Sequence, residues 1–75
     1  MDEEATRSIT IGDDGIELAK LLKFAGVADS GGHAKQMIVS GVVRVNGEAE
    51  TRKGRKLRAG DVVTCGAETI TLCVG

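Results

Sequence analysis

The apolar residues of this chain recur with two spacings, which divide it into short strands and two helices. From Arg7 to Gly12 they alternate with polar residues, with Ile9 and Ile11 on one side. Such alternation is typical of a strand that buries one face. From residue 16 to residue 25 the spacing becomes helical. The positions of this stretch that we expect to face the core are Leu18, Leu21, Leu22, Phe24 and Ala25.

Polar and glycine residues mark the ends of both predicted helices. The first helix follows the turn Asp13-Asp14-Gly15, in which an aspartate is placed to cap it, and Gly26 suits its end. The second begins at Ser30, a favourable N-cap, and closes at Gly41. The apolar face of the second helix, with i, i+3 and i+4 spacing, holds Ala34, Met37 and Ile38.

A hairpin is predicted after the second helix. Val43 and Val45 alternate with polar residues, and Asn46-Gly47 is a strong signal for a tight turn. A strict two-residue turn would place Glu50 opposite Val43, on the apolar face. We therefore expect a bulge or a longer turn that brings Ala49 to the core instead.

The remainder of the chain is predicted to be a basic loop and a terminal hairpin. Residues 51–58 lack periodicity, and Leu57 is expected to anchor them because it is the only large apolar side chain there. After a turn at 59–61, strands at 62–65 and 69–74 form the hairpin. The whole pattern predicts an α+β fold, with two helices packed on a small, largely antiparallel sheet.

Length and composition indicate one small globular domain. The chain has 75 residues, of which 41% are hydrophobic and 28% charged. We predict a flexible acidic N-terminus over residues 1–6 and a domain over residues 7–75. No apolar run reaches the roughly 20 residues of a membrane span, and the polar N-terminus does not match a secretory signal. We therefore expect a cytoplasmic monomer without membrane contact.

The two cysteines, Cys65 and Cys73, lack the spacing of a metal motif. Together with one histidine they cannot complete a four-ligand zinc site. If Gly66-Ala67 is a two-residue loop, the period of two places the thiols on opposite faces of the sheet, where a disulfide is geometrically unfavourable. We predict no metal site and no cofactor.

The chain offers little for catalysis. His33 is the only histidine, and we expect it to be a surface or capping residue. Glu48 and Glu50 are expected to be solvated or paired with neighbouring Arg and Lys. No Ser/His/Asp or Cys/His set, phosphate-binding loop or dinucleotide motif can be nominated. We therefore predict no catalytic residue, no small-molecule substrate and no enzymatic activity.

Positive charge is concentrated in one part of the chain, although the net charge is −1. Residues 1–17 hold six acidic residues and one basic residue, whereas the rest hold five acidic and nine basic residues. The six basic residues between positions 44 and 58 are Arg44, Arg52, Lys53, Arg55, Lys56 and Arg58. Local field decides where a polyanion docks, so this run predicts a phosphate-binding surface. The alternative is a solvated loop that keeps the domain soluble. Exposed charges contribute little stability, so we expect replacement of the loop cations to spare the fold.

The start of the second helix is the other candidate anion site. Ser30, Gly31 and Gly32 present backbone amides at the positive end of the helix dipole, and glycine leaves them accessible. Lys35 and Gln36 lie on the exposed side of the first turns. The simpler interpretation of the glycine pair is a loop that enters a capped helix.

A platform for stacking single-stranded bases is not expected, because Phe24 is the only aromatic residue and is predicted near the core. A nucleic-acid target would then be recognised through its backbone and shape. This favours folded or double-stranded RNA over an unstructured strand.

Taken together, these segments resemble the S-four RNA-binding domain, also called the alpha-L motif. The resemblance rests on the capped helix from Ser30 to Ile38, the strand and turn from Gly41 to Gly47, and the segment from Ala59 to Val63. The run from Glu50 to Leu57 and the helix that starts at 16–18 resemble more narrowly the small stand-alone YbcJ-like bacterial members. The resemblance covers about residues 7–74.

The resemblance implies a ribosome-associated or related domain that presents a basic surface to structured RNA, usually ribosomal or transfer RNA. It implies RNA contacts at Lys35 and Gln36. Many members carry arginine where this chain has Gly31 and Gly32, so the loop from Arg52 to Lys56 is expected to supply the missing charge. The predicted RNA-binding residues are Ser30, Gly31, Gly32, Lys35, Gln36, Arg44, Arg52, Lys53, Arg55 and Lys56.

Two other functions are kept as alternatives. Ubiquitin-like sulfur carriers share an early helix, a V-x-V-N-G-E segment and a late G-D-x-V turn, but they use a C-terminal Gly-Gly, whereas this chain ends in Gly75 alone. The capped second helix and the cationic run fit that class poorly. The remaining alternative is a protein-interaction module with an incidental basic loop.

Overall fold

Two helices pack against one face of a five-stranded sheet. The computed structural model describes residues 5–66 and 68–74, and for Ala5 and Thr6 it describes the backbone only. In chain order, the elements of this part are β1 (Ala5–Ile11), β2 (Ile16–Glu17), α1 (Leu18–Phe24), α2 (Gly31–Val39), β3 (Val43–Val45), β4 (Glu48–Ala49), β5 (Lys56–Leu57), β6 (Val62–Cys65) and β7 (Glu68–Val74).

The five-stranded sheet has the order β1-β7-β6-β3-β4. Its pairs are antiparallel except β1 with β7, which run parallel. The predicted α+β class with a largely antiparallel sheet is therefore confirmed. The strand β1 begins at Ala5, two residues before the predicted domain start, and residues 1–4 of the predicted acidic N-terminus lie outside the described residues.

The core lies between the helices and the inward-facing side of the sheet. Along β3, β6 and β7, alternate residues are buried, as the period of two requires. Burying one such aliphatic side chain stabilises the fold by about 1.5–3 kcal/mol. The largest fully buried side chains are Leu18, Leu21, Leu22, Ile38, Leu57, Ile70, Leu72, Val43 and Val63.

Phe24 is not part of this core, and the prediction that it faces inward is wrong. Its side chain is 69% exposed. The seven-residue α1 buries Leu18, Leu21 and Leu22, and position 24 lies about 60° beyond Leu21 around the helix axis. An apolar residue at the edge of a helical stripe has no partner when the neighbouring helix covers only the centre of that stripe.

The first helix begins later than predicted and is not capped by an aspartate. Glu17 occupies the N-cap position, and its side chain makes no capping hydrogen bond. Instead, the amides of Leu18 and Ala19 donate to the carbonyl oxygens of Arg55 and Lys53, at 2.8 and 3.3 Å. The sequence pattern could not indicate this cap, because its acceptors lie more than 30 residues away along the chain.

The Asn46-Gly47 hairpin has a strict two-residue turn, so the predicted bulge is wrong. Both turn residues have positive φ, 53° and 89°, as a type I′ turn requires. Val45 pairs with Glu48, and the next residue, Ala49, is exposed. Glu50 takes the inward position, and its amide donates to the carbonyl oxygen of Val43 at 3.0 Å.

A second, two-stranded sheet joins β2 to β5 and was not predicted. Ile16 pairs with Leu57, which is fully buried and anchors the basic loop as expected. Gly15, with a φ of 82°, lies so close to this pair that an added Cβ would overlap the carbonyl oxygen of Leu57. The two strands therefore hold the basic loop against the start of α1.

The predicted second helix and terminal hairpin are confirmed. The Ser30 hydroxyl accepts a hydrogen bond from the His33 amide at 3.1 Å, and Gly41, with a φ of 86°, follows the helix. Cys65 pairs with Glu68 across the terminal hairpin, although Ala67 lies outside the described residues. Cys65 and Cys73 are free thiols on opposite faces of the sheet. Neither helix in residues 5–66 and 68–74 is long and apolar enough to cross a membrane.

Candidate nucleic-acid interface

A buried carboxylate organises the cationic loop. Glu50 is 7% exposed. Its Oε2 accepts hydrogen bonds from the amide and Nε of Arg52, both at 3.0 Å. Its Oε1 accepts from Nη2 of Arg52 at 3.2 Å and from Nη1 of Arg55 at 2.6 Å. The tight Asn46-Gly47 turn thus brings a carboxylate inward, and two arginines satisfy it.

The pKa of Glu50 follows from these contacts. Hydrogen bonds from the Arg52 side chain, then from the Arg52 amide and the Arg55 side chain, lower it from 4.5 to about 2. The same pairing raises the pKa of Arg52. The carboxylate is therefore ionised at neutral pH, and part of the loop's positive charge is compensated inside the protein.

The loop cations consequently divide into two kinds. The Arg55 side chain is 32% exposed, whereas that of Arg52 remains 74% exposed while it bonds to Glu50. Lys53 and Lys56 are exposed. The expectation that all four can be replaced without loss of the fold needs correction, because removing an arginine leaves a buried carboxylate short of a partner.

The loop docks on the first turn of α1 through its backbone. Carbonyl oxygens of Arg55 and Lys53 accept the amides of Leu18 and Ala19, and the β2–β5 pair continues the contact. Exposed lysines at positions 20 and 23 extend the cationic surface along the helix. Sequence reasoning did not nominate these two lysines, although both lie opposite the leucine stripe of the predicted helix.

The start of α2 is capped by the Ser30 side chain and is exposed to solvent. The amide of Ala34 makes the first intrahelical hydrogen bond, to the carbonyl oxygen of Ser30. An added Cβ at Gly31 would meet no atom within 4 Å, and one at Gly32 would meet only the Ser30 hydroxyl oxygen, at 3.9 Å. Packing therefore does not require glycine at either position, and both residues are exposed at the end of the helix where an anion would bind.

His33 belongs to the cap. Its Nδ1 accepts a hydrogen bond from the Asp29 amide at 3.0 Å, so its predicted surface and capping role is confirmed. Lys35 and Gln36 are exposed on the same helix, two and three residues after His33. The charge of Asp29 stands beside this helix start and reduces its positive potential.

Arg44 is separated from the other predicted site residues. Val43 and Val45 point into the core beneath the helices, and Arg44, between them, points to the opposite face of the sheet. Its guanidinium lies near the carbonyl oxygen of Gly47, at 3.4 Å. The structure brings the loop and α1 together on the helical side, and it does not bring Arg44 to that side.

The V-N-G and G-D segments meet in a structural network. The backbone amide of Asn46 donates a hydrogen bond to the carbonyl oxygen of Val62 at 2.7 Å. The side-chain Oδ1 of Asn46 accepts a hydrogen bond from the backbone amide of Val62 at 2.9 Å. Its Nδ2 donates to Asp61 at 3.1 Å, and Asp61 also accepts the Arg58 amide at 2.9 Å. The Arg58 amide and the Asn46 side chain lower the pKa of Asp61. These residues fix the far end of the basic loop.

In residues 5–66 and 68–74, no group of three or more His, Cys, Asp or Glu is arranged to hold a metal ion. Gly75, the proposed site of the sulfur-carrier alternative, lies outside the described residues.

Comparisons of the sequence with a family model and with known proteins agree on one family. The family model described as S4 domain matches residues 9–73. The probable ribosome maturation protein RlbA of Bacillus subtilis (strain 168) is 47% identical over 55 residues, which are 73% of this chain and 78% of the relative. The putative RNA-binding protein YbcJ of Escherichia coli (strain K12) is 42% identical over 55 residues, which are 73% of this chain and 79% of the relative.

A solved structure agrees with these sequence matches. The solution structure of YbcJ from E. coli is described as revealing an alpha-L motif involved in RNA-binding. It matches this structure with a TM-score of 0.66 at 37% identity and covers 97% of this chain and 91% of its own.

Proposed function

Because the chain belongs to the S4 domain family, we propose that it is a non-catalytic RNA-binding domain that recognises structured RNA. The observation that carries the proposal is the cationic loop, which Glu50 and the α1 backbone hold in one conformation on the helical side of the molecule. The names of the YbcJ and RlbA relatives favour this function over a sulfur carrier or a protein-interaction module.

The loop is suited to phosphate because its arginines are oriented before RNA arrives. A guanidinium has five N–H donors, and the Arg52 side chain uses its Nε and Nη2 on Glu50. The remaining donors of this exposed side chain can bind phosphate oxygens. Since Glu50 has already restricted the side chain, less conformational entropy is lost on binding. Lys53 and Lys56, which are both exposed, add mobile point charges to the same loop.

The α2 helix provides the second part of the proposed surface. Accessible amides of Gly31 and Gly32, after the Ser30 cap, can bind one phosphate, while Lys35 and Gln36 contact the backbone further along. Lys20 and Lys23 lie on α1, between the docked loop and the segment that leads to α2. We leave Arg44 out of this surface because it lies on the other face of the sheet.

Ribosomal RNA is the target we propose over transfer RNA. The support is the name of the RlbA relative, a probable ribosome maturation protein. The exposed cations of this surface suit recognition of folded RNA through its shape and backbone. We further propose that the domain acts as a monomer in the cytoplasm.

A salt titration tests the proposal. If three to five phosphates are neutralised, binding to a folded ribosomal RNA fragment should weaken with salt, with a log–log slope of about −2 to −4. The double variant Lys53→Gln/Lys56→Gln should reduce the slope by about 2, since each lysine releases about one counterion. A slope near zero for the unmodified protein would contradict the phosphate model.

A further inference from the structure

The largest exposed apolar side chain of the described residues stands among lysines. Phe24 is 69% exposed and lines an open groove of about 430 Å³ together with Ile16, Lys20 and Lys23. Lys20 is one helical turn before Phe24, and Lys23 is its chain neighbour. The groove is thus lined by two apolar side chains, a ring and an isoleucine, and by two lysines.

This combination matches the chemistry of one nucleotide. A nucleobase is flat and stacks on an aromatic ring in a largely sequence-independent way, because every base has a π-face. The phosphates on either side of that base need cations, and the two lysines carry them. A purely apolar partner would gain nothing from two ammonium groups at the edge of its site.

The groove lies beside the site where the cationic loop docks on α1. Ile16 pairs with Leu57 across the β2–β5 sheet, and the Ala19 amide, next to Lys20, bonds to the carbonyl oxygen of Lys53. A strand of RNA that leaves the loop along α1 therefore meets the Phe24 ring next. An acidic protein segment would also satisfy the charges, but the adjacent cationic loop, with its exposed Lys53 and Lys56, favours RNA.

We propose that the groove binds one unpaired base of the RNA, stacked on Phe24, with the flanking phosphates on Lys20 and Lys23. The proposal rests on the proposed RNA-binding function and adds a feature to its target, namely a bulged or looped-out nucleotide next to a helical segment. It replaces the expectation from sequence that the chain has no surface for base stacking.

Two RNA hairpins with the same stem test the proposal. One carries a single bulged 2-aminopurine, and the other carries the same base paired in the stem. The unmodified protein should bind the bulged hairpin more tightly and quench its 2-aminopurine fluorescence. Phe24→Leu keeps an apolar side chain without a π-face, so it should abolish the quenching. Its affinity for the bulged hairpin should fall roughly tenfold, and its affinity for the paired hairpin should not change. Phe24→Trp should keep both.

Val39→Ala is the matched control, since Val39 is 67% exposed and does not line the groove. It should change neither affinity nor fluorescence. An unchanged melting temperature shows that each variant is folded, as expected for exposed positions.

The outcomes separate the two proposals. Equal binding of both hairpins without quenching overturns the base site and leaves the RNA-binding function standing. If the protein binds neither hairpin and also does not bind a folded ribosomal RNA fragment, both the base site and the RNA-binding function are overturned. If Phe24→Leu leaves RNA binding intact and instead abolishes a crosslink to a protein in cells, the groove is a protein site and the proposal is wrong.

Discussion

Glu50 shows how one residue can redirect the role of its neighbours. A two-residue turn sets the register of the hairpin, with Val45 opposite Glu48. Because side chains alternate between the two faces, the Glu50 side chain lies on the buried side. An unpaired buried charge is costly, and Arg52 and Arg55 remove that cost with hydrogen bonds to both carboxylate oxygens. Two residues that the sequence nominates for RNA contact therefore also hold the loop together, and Glu50 pairs with neighbouring arginines, one of the two outcomes expected from sequence.

Replacing Glu50 should change the acid sensitivity of the fold. Its folded-state pKa, about 2, is below the ordinary 4.5, so the ionised carboxylate stabilises the fold above pH 4.5, and this stabilisation is lost as the pH falls towards 2. Glu50→Gln should lower the free energy of unfolding at neutral pH and should differ less from the unmodified protein at about pH 3. Urea unfolding at several pH values measures both effects.

Glu48→Gln is the control for this experiment, because Glu48 is exposed on the same hairpin. It removes the same charge and should leave the acid transition close to that of the unmodified protein. If the two variants showed the same pH dependence, the Glu50 ion pairs would not stabilise the fold.

The cationic loop shows how an element without helical or strand periodicity can still be ordered. Leu57 anchors it in the core, the β2–β5 pair aligns it, and its carbonyl oxygens cap α1. In return, α1 receives partners for amides that no residue near its own start satisfies. The loop and the helix therefore depend on each other, and a change in the loop can act on the helix.

Arginine and lysine variants of the loop should separate stability from RNA binding. Arg55→Ala should lower the melting temperature by several degrees, because it removes the 2.6 Å hydrogen bond to the buried Glu50. Lys53→Ala should stay within about 0.5 kcal/mol of the unmodified stability. It should still weaken RNA binding and reduce the salt slope by about 1.

Thermal unfolding and binding to a folded ribosomal RNA fragment measure the two quantities. Equal loss of stability in Arg55→Ala and Lys53→Ala would show that the pairing with Glu50 does not distinguish the loop cations.

The whole molecule has two unlike faces. Helices, the docked loop and Phe24 occupy one side, and the outward face of the sheet, with Arg44, forms the other. The net charge of −1 describes neither face, because six of the eleven acidic residues lie in the first 17 positions and nine of the ten basic residues lie beyond them. A polyanion is attracted by the local field of one face.

Two single-charge variants on opposite faces should therefore differ. Lys35→Gln removes a charge beside the α2 start and should weaken RNA binding several-fold, with a salt slope reduced by about 1. Arg44→Gln removes the same charge from the other face of the sheet and should leave affinity and slope nearly unchanged. Equal effects of the two variants would mean that the RNA contacts both faces.

The sequence by itself determined most elements and the family. Ser30 and Gly41 mark the two ends of α2, and Asn46-Gly47 makes the turn. The alternation along β3 and β6 indicates which face is buried. These signals are local, because caps, turns and periodicity depend on residues within about four positions of one another. The segments that carry the family resemblance are of the same local kind.

Tertiary structure alone decided which side chains are available to a ligand. Phe24 is exposed because α2 and the sheet cover only part of the α1 stripe, and Arg55 is half-buried because a hairpin brings Glu50 inward. The place of Arg44 on the far face likewise depends on which side the helices pack. Each outcome depends on contacts between distant parts of the chain, and spacing along a sequence contains no information about them.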